Sequence, residues 1–397
     1  MNPWWLIAAP AAGALAISLL NVVGWPRNAK PLASGRPAVS VLIPCRNEER
    51  NIETCLRSVF PELIDGDEVI VCDDDSTDET PTILGRLASE FPALRVVSGR
   101  PLADGWVGKP NACDVLSRHA RNDLLVFVDS DVCLHSGSLG TAAGLLKRYN
   151  ADVLTAVPRQ DMVTIAERVV MPWLDLTYVS WLPMPLVWLS SDPRFLAANG
   201  QFLAMNRTAY TACGGFDAVR GEVVDDMALC RNAKRAGLRV VFADGSDLAT
   251  CRMYRGWDEI RDGFSKNLYE GIGGHPLALL AVMSLYGAAF VLPWLLLPFA
   301  PLLPLAIVQG AAAAVAMNLV QRVVVALQRG HGPLSILLHP AGALAFLGIA
   351  VNSYRWSRAG RIQWSGRVYA PTSTRSSRTQ AGHSVGTVAP GATGGGA

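Results

Sequence analysis

Charge is scarce in this 397-residue chain: Asp, Glu, Lys and Arg together make up 17% of it, against 50% for hydrophobic residues. That balance is too apolar for a wholly soluble protein and points to membrane segments. A surplus of either sign is missing as well. The net charge of +2 implies no basic patch, and so no nucleic-acid partner. Cysteine pairs are also missing. The eight cysteines include no CxxC, and several sit inside apolar runs. They read as small buried hydrophobes of a reducing compartment, with neither a disulfide framework nor a zinc site. None of the six histidines has metal-ligand spacing, and no GxSxG, Walker A or Cys/His catalytic pattern stands in the chain.

What is present is unevenly placed. Residues 4–25 form an uncharged apolar run of about the ~20 residues that a bilayer-spanning helix needs. It has no basic segment before it, and the paired Trp4 and Trp5 suit an interfacial position. An uncleaved anchor over 1–26 is therefore expected rather than a cleaved signal peptide. Arg27, Lys30 and Arg36 follow, so the positive-inside rule puts the next domain in the cytoplasm, on a multi-pass protein of the cell (inner) membrane. A C-terminal membrane region is expected over 276–354. Its first part, 276–327, is long enough for two helices, and 334–354, with His339 and Pro340, is the weakest candidate for a third. Three spans would export the basic stretch "YRWSRAGRIQWSGR" against the charge rule, so the count stays at two or three. Residues 355–371 read as a basic interfacial segment, and the Ser-, Thr-, Gly- and Ala-rich 372–397 as a disordered tail.

Between these regions, 36–275 has ordinary globular composition. "AVSVLIPCRNEE" is a β-rich run ending in a polar turn, and the apolar spacing of Ile52, Leu56 and Val59 predicts a helix after it. "DEVIVCDDDSTDET" repeats the scheme. "LRVVSG" and "LLVFVDSD" are two more strands, the second following a helix near 111–120. Strands alternating with helices indicate an α/β domain with a largely parallel sheet, helices on both faces. Ligands bind such sheets at the carboxyl ends of the strands. The clusters at 46–49, 73–75 and 129–131 all stand at predicted strand ends, so all three fall on one rim.

Asp129 and Asp131 can ligate a hard divalent ion, Mg²⁺ or Mn²⁺, that in turn neutralises a diphosphate; alone, the pair reads equally as a solvated turn. Asp73 or Asp74 can accept hydrogen bonds from a base or ribose, or the run can simply cap a helix. Glu48 has the same two readings. Asp225 and Asp226 open a helix, where acids complement the dipole, and where one of them can deprotonate a hydroxyl nucleophile beside a diphosphate. Lys109 and Arg255 can add positive charge near phosphates or stand as solvated surface residues. "MPWLDLTYVSWLPMPLVWL" reads either as an interfacial element lining an apolar acceptor channel or as an ordinary core helix.

The ordered series "SVLIPCRNEE", "VIVCDDDSTDET", "GKPNA", "VFVDSD", "GGFD" and "VVDDMAL" resembles the family 2 glycosyltransferases, inverting enzymes with a GT-A, Rossmann-like fold. "GWVGKPNA", "AANGQFLAMNR" and "MYRGWDEIRDGFSKN" look like the membrane-bound subgroup acting on carotenoid (diaponeurosporenoate) and hopanoid lipids. The resemblance implies that Pro44, Glu48, Asp73, Asp74, Lys109 and Asp129 surround a nucleotide-sugar donor. It implies that Asp129 and Asp131 hold the metal, with Asp131 the direct ligand, and that Asp226 is the base. Gly214, Gly215, Asp225, Trp364 and Arg367 would lie on the acceptor side. "IQWSGRVY" departs from the QxxRW spacing of processive polysaccharide synthases, which favours a single transfer. The expectation is a hexosyltransferase moving a hexose, most simply from UDP-glucose, to a lipid. A polyprenyl-phosphate sugar transferase, a polysaccharide synthase and an inactive membrane scaffold remain as alternatives.

Overall fold

The computed structural model describes residues 4–27, 35–360, 362–364 and 367–369. The tail expected over 372–397 lies outside the described residues.

Eight strands form one sheet: β1 Val39–Cys45, β2 Glu68–Asp73, β3 Leu94–Ser98, β4 Leu124–Val128, β5 Val132–Leu134, β6 Val153–Gln160, β7 Phe202–Asn206 and β8 Val240–Cys251. Their spatial order is β3-β2-β1-β4-β7-β6-β8-β5. β1 and β4 are buried at every position, as strands covered on both faces must be. The parallel arrangement expected from the alternation of strands and helices holds for β3-β2-β1-β4 and again for β6 beside β8. β7, however, runs antiparallel to both β4 and β6, and β5 antiparallel to β8, so the sheet is mixed. A short buried apolar run such as Phe202–Asn206 reads the same in either direction. Its direction is set by the path of the chain, here a long helical excursion between β6 and β7.

That excursion is the aromatic segment at 171–189. Helix Pro172–Trp181 buries Trp173 and Leu176, the core reading of the segment, while Leu174, Thr177, Tyr178 and Leu182 line a cavity. Gly342 makes room for Trp173: a Cβ there would stand 2.4 Å from the indole nitrogen.

Three helices among the described residues are long and apolar enough to cross a membrane: Trp4–Gly24, Pro276–Leu302 and Leu305–Arg329. The first and third pack through small residues, Ala8, Ala11 and Ala14 against Gly310, Ala311 and Ala314. A Cβ on Gly310 would lie 2.5 Å from the Trp4 carbonyl oxygen, so the backbones are in near contact, a packing mode suited to apolar surroundings. Polar side chains join them further. Gln321 donates to Ser18 Oγ at 2.7 Å and Ser180 Oγ at 3.0 Å, and Asn21 donates to the Val179 and Leu182 carbonyls at 3.0 and 2.9 Å. Helix His339–Arg358, covering the weakest predicted span, packs instead along helix Trp257–Gly271, with Ser353 Oγ accepting from the Tyr269 amide at 2.9 Å.

The helix Leu305–Arg329 ends on the eight-stranded sheet. Arg329, fully buried, donates to Asp175 Oδ1 at 3.0 Å, to Asp244, to Ser246 Oγ at 2.5 Å, and to the Val157 and Pro158 carbonyls of β6 at 3.2 and 2.9 Å. Its guanidinium also lies 5.4 Å from the centre of the Trp25 ring. Arg329→Met is expected to destabilise the protein by about 3–5 kcal/mol, because Asp175 and Asp244 keep their burial and lose their cation. Breaking the exposed Arg57–Glu90 pair should cost far less, because water already screens both charges. Thermal unfolding in detergent compares the two; equal losses would contradict the anchoring role.

Candidate active site

The carboxyl ends of β1 and β4 face the start of two helices across a cavity of about 570 Å³. Asp129 follows β4, where its amide donates to the Gln201 carbonyl at 3.1 Å and its own carbonyl accepts from Val132 at 3.1 Å. This tight turn carries Asp129 and Asp131 to the rim. Lys109, in the first turn of helix Gly108–His119, bonds both oxygens of Asp129, at 2.6 and 2.8 Å. The ion pair holds the Lys109 ammonium well above its ordinary pKa although burial acts the other way. Asp131 is placed differently: its Oδ1 is buried with no hydrogen-bond partner. Burial, then the charge of Asp129, push its pKa up to about 6.

Asp225 and Asp226 open helix Asp225–Arg235 on the opposite side. Asp226 Oδ1 accepts from the Met227 amide at 2.7 Å, which fixes the carboxylate at the mouth of the helix. Burial raises both pKa values, that of Asp225 to about 7, with Lys109 pulling each of them back down. Glu48 stands across the cavity, raised to about 7 by burial and then by Asp131, while Asn51 donates to it at 2.9 Å. Pro44, Glu48, Lys109, Asp129, Asp131, Asp225 and Asp226 thus share one cavity. The other wall is apolar, built by Leu174, Tyr178 and Leu182 from the aromatic excursion, Phe264, Leu268 and Ile272 near helix Trp257–Gly271, and Phe346.

Other expected residues are not brought there. Asp73 accepts from the Ser76 amide at 3.1 Å, and Asp74 is buried beside Gly99, where a Cβ would meet its Oδ1 at 2.7 Å. Arg46 ties this loop to β1 by donating to the Asp74 and Asp75 carbonyls. Both aspartates stand at the end of β2, on the same rim but outside the cavity lining. Gly214 and Gly215 have φ of +83° and +55°. A Cβ on Gly215 would come within 2.5 Å of the Tyr210 ring. The two glycines make a turn and do not line the cavity, although the next residue, Phe216, borders a small pocket with Lys109, Asp129, Asp225 and Asp226. Arg255 bonds Asn51 Oδ1 at 2.7 Å and lines a second, polar cavity of about 370 Å³ with Arg252 and Glu259. Trp364 and Arg367 pair in the two-stranded ladder of β9 Ile362–Trp364 and β10 Arg367–Tyr369; their side chains lie outside the described residues.

Several lining residues were not singled out from sequence. Gly200 presses against Lys109 and Asp226, its would-be Cβ 3.1 Å from the lysine nitrogen. Asn199 Oδ1 accepts from the Gln201 amide at 2.9 Å and its amide reaches the Tyr178 hydroxyl at 3.4 Å. The signal was available, since Asn-Gly-Gln interrupts the apolar run "FLAANGQFLAM" much as Asp-Ser-Asp interrupts "LLVFVDSDVCL". Lys266 also enters the cavity, its pKa lowered by burial and then by Lys109.

Comparison with known proteins agrees with this geometry. Residues 37–257 match the family model described as glycosyltransferase like family 2. Two relatives from Staphylococcus aureus, of strains MRSA252 and bovine RF122 / ET3-1, are each named 4,4'-diaponeurosporenoate glycosyltransferase. They are 28% identical over 360 and 361 residues, covering 86% of this chain and 91% of theirs. Among solved structures, a mannosyltransferase from Pyrobaculum calidifontis in complex with GDP-Man and Mn²⁺ is 21% identical, with a TM-score of 0.55. The match covers 89% of this chain and 99% of that one; at this identity the likeness is one of fold. The chain belongs to the family 2 glycosyltransferases: it is a glycosyltransferase with a GT-A domain flanked by apolar helices long enough to cross a membrane.

Proposed function

We propose that this glycosyltransferase moves a hexose from a nucleotide sugar, with UDP-glucose the simplest donor, to a lipid of carotenoid or hopanoid type, inverting the anomeric centre. One observation carries the reading: a single cavity joins a rim of carboxylates and lysines to an apolar wall made by segments that lead into the membrane helices or pack against them. A wholly polar acceptor would not need that wall. Relatives named for diaponeurosporenoate support the same acceptor class.

In this reading Pro44 and Glu48 border the nucleoside, with Asp73 and Asp74 farther along the rim, and Lys109 faces the diphosphate beside Asp129. Asp226 takes the proton of an acceptor hydroxyl as its oxygen attacks the anomeric carbon; the bond from that carbon to the diphosphate oxygen breaks, and the nucleoside diphosphate leaves. Asp225, the neighbouring acid, holds charge near Lys109. The residues suit Mg²⁺ or Mn²⁺, since Asp131 offers a buried carboxylate oxygen with no partner and both ions prefer oxygen ligands. Among the described residues no cluster of three or more His, Cys, Asp or Glu is arranged to hold a metal; an ion here would share one or two carboxylates with phosphate and water. Such an ion would neutralise charge developing on the leaving diphosphate.

Two apolar helices after the domain return the chain to the side it started from. The basic residues around Arg355 and Arg358 then lie with the catalytic domain on the cytoplasmic side of the cell membrane, as the charge rule requires.

Asp226→Asn is expected to lower transfer to an alcohol acceptor by about 100-fold or more, with donor affinity within about twofold; near-normal turnover would remove Asp226 as the base. Mass spectrometry of lipid extracts from cells with and without the gene tests the whole reading through a one-hexose mass difference on a single lipid. A pH dependence follows from the acids. Glu48, Asp131 and Asp225 keep protons in the folded, ligand-free protein to about pH 7, 6 and 7. Unfolded, they release them near pH 4, so folding takes up protons and the melting temperature should fall as pH rises from about 4 to about 7. Asp225→Asn should flatten that fall in metal-free buffer, and a slope unchanged by the substitution would contradict the assignment.

A further inference from the structure

The segment from Tyr254 to Asn267 presents three polar groups to the cavity without giving them partners. The Lys266 side chain makes no hydrogen bond or ion pair among the described residues. The Asn267 Oδ1 and the Tyr254 hydroxyl are buried and unbonded. Lys266 is half-buried; the other two are buried polar groups without partners, which are rare in folded proteins and call for an explanation. The Lys266 ammonium has three donors to place, and the acids nearest to it are not free to take them all, because Asp129 is already held through both oxygens by Lys109.

The charges acting most strongly on Lys266 are Lys109, Asp129, Asp131 and Asp225. Two lysines therefore approach the same space, and with Asp129 held by Lys109 a ligand that brings several negative oxygens can engage both. A single carboxylate on the acceptor would occupy one of them. A diphosphate, with non-bridging oxygens on two phosphorus atoms, can occupy both. The position of Lys266 toward the Asp129 and Asp131 end of the cavity fits the same group.

We propose that Lys266 is a second diphosphate-binding cation, which together with Lys109 clamps the donor and takes up charge on the departing nucleoside diphosphate. Asn267 and Tyr254 complete the polar lining around it. Helix Trp257–Gly271 immediately precedes the span Pro276–Leu302, so the donor clamp is partly carried by the element next to the one that enters the membrane. The inference rests on the nucleotide-sugar reading above.

The test uses the full-length protein in detergent with constant Mn²⁺ and measures binding of UDP, GDP, UMP and GMP by calorimetry. Lys266→Gln should weaken the preferred diphosphate by about tenfold or more, with the matching monophosphate changed less than about twofold, and Lys266→Arg should recover most of the loss. Lys266→Met, which keeps the aliphatic stem, replaces the glutamine variant if that one does not fold. Undiminished diphosphate binding in the neutral variants overturns the inference alone, as does an equal loss for mono- and diphosphate. Intact diphosphate binding with a raised KM for the lipid would move Lys266 to the acceptor side, which also overturns it. A wild-type protein that binds neither UDP nor GDP overturns the donor reading and this inference with it.

Discussion

Lys109 grips Asp129 through both carboxylate oxygens, at 2.6 and 2.8 Å, and the rest of the site is arranged around the negative charge that this pair leaves over. Glu48, Asp131, Asp225 and Asp226 line the same cavity without a matching number of cations. In bulk water such crowding costs little. At a half-buried rim each acid raises the pKa of the next, and the ligand-free site relieves the strain by holding protons. In the proposed reading, a donor arriving with a divalent ion would replace those protons with a better-placed positive charge, and Lys109 and Lys266, on two separate helices, would face its phosphates.

The sheet explains how so much charge is brought to one place. β1 and β4 are buried throughout, so their first polar residues emerge together where the strands end. Helix starts at Gly108 and Asp225 supply Lys109 on one side and the acid pair on the other. The remaining wall comes from helices that also pack on the membrane spans, and Arg329 ties one of these, Leu305–Arg329, to Asp175 of the aromatic segment, to β6 and to Asp244 of β8. One buried cation thus links a span, the catalytic sheet and a helix that lines the apolar wall.

In the first part of the domain, four strands and the helices between them followed from periodicity and from the polar turns, whereas β5, β6, β7 and β8 were not picked out. The three acidic clusters could be placed at strand ends because buried strands tolerate no interior charge. The direction of β7 was not readable, since a buried pentapeptide carries no mark of parallel or antiparallel pairing. Gly214 and Gly215 looked like acceptor residues through their motif, yet they serve a left-handed turn under Tyr210. Lys266 lies in the quoted run "MYRGWDEIRDGFSKN", yet nothing in that run says which of its polar residues faces the cavity.

By itself the sequence determined the strand-end acids, the α/β alternation and the apolar runs, because each depends on residues close together in the chain. Tertiary structure alone decided which acids share a cavity, that Asp73 and Asp74 stand beside it, and that Lys266 turns toward Lys109 and Asp129. These depend on strand direction and on packing between segments more than a hundred residues apart. There the free energy comes from desolvation and charge pairing across the fold, which no local pattern records.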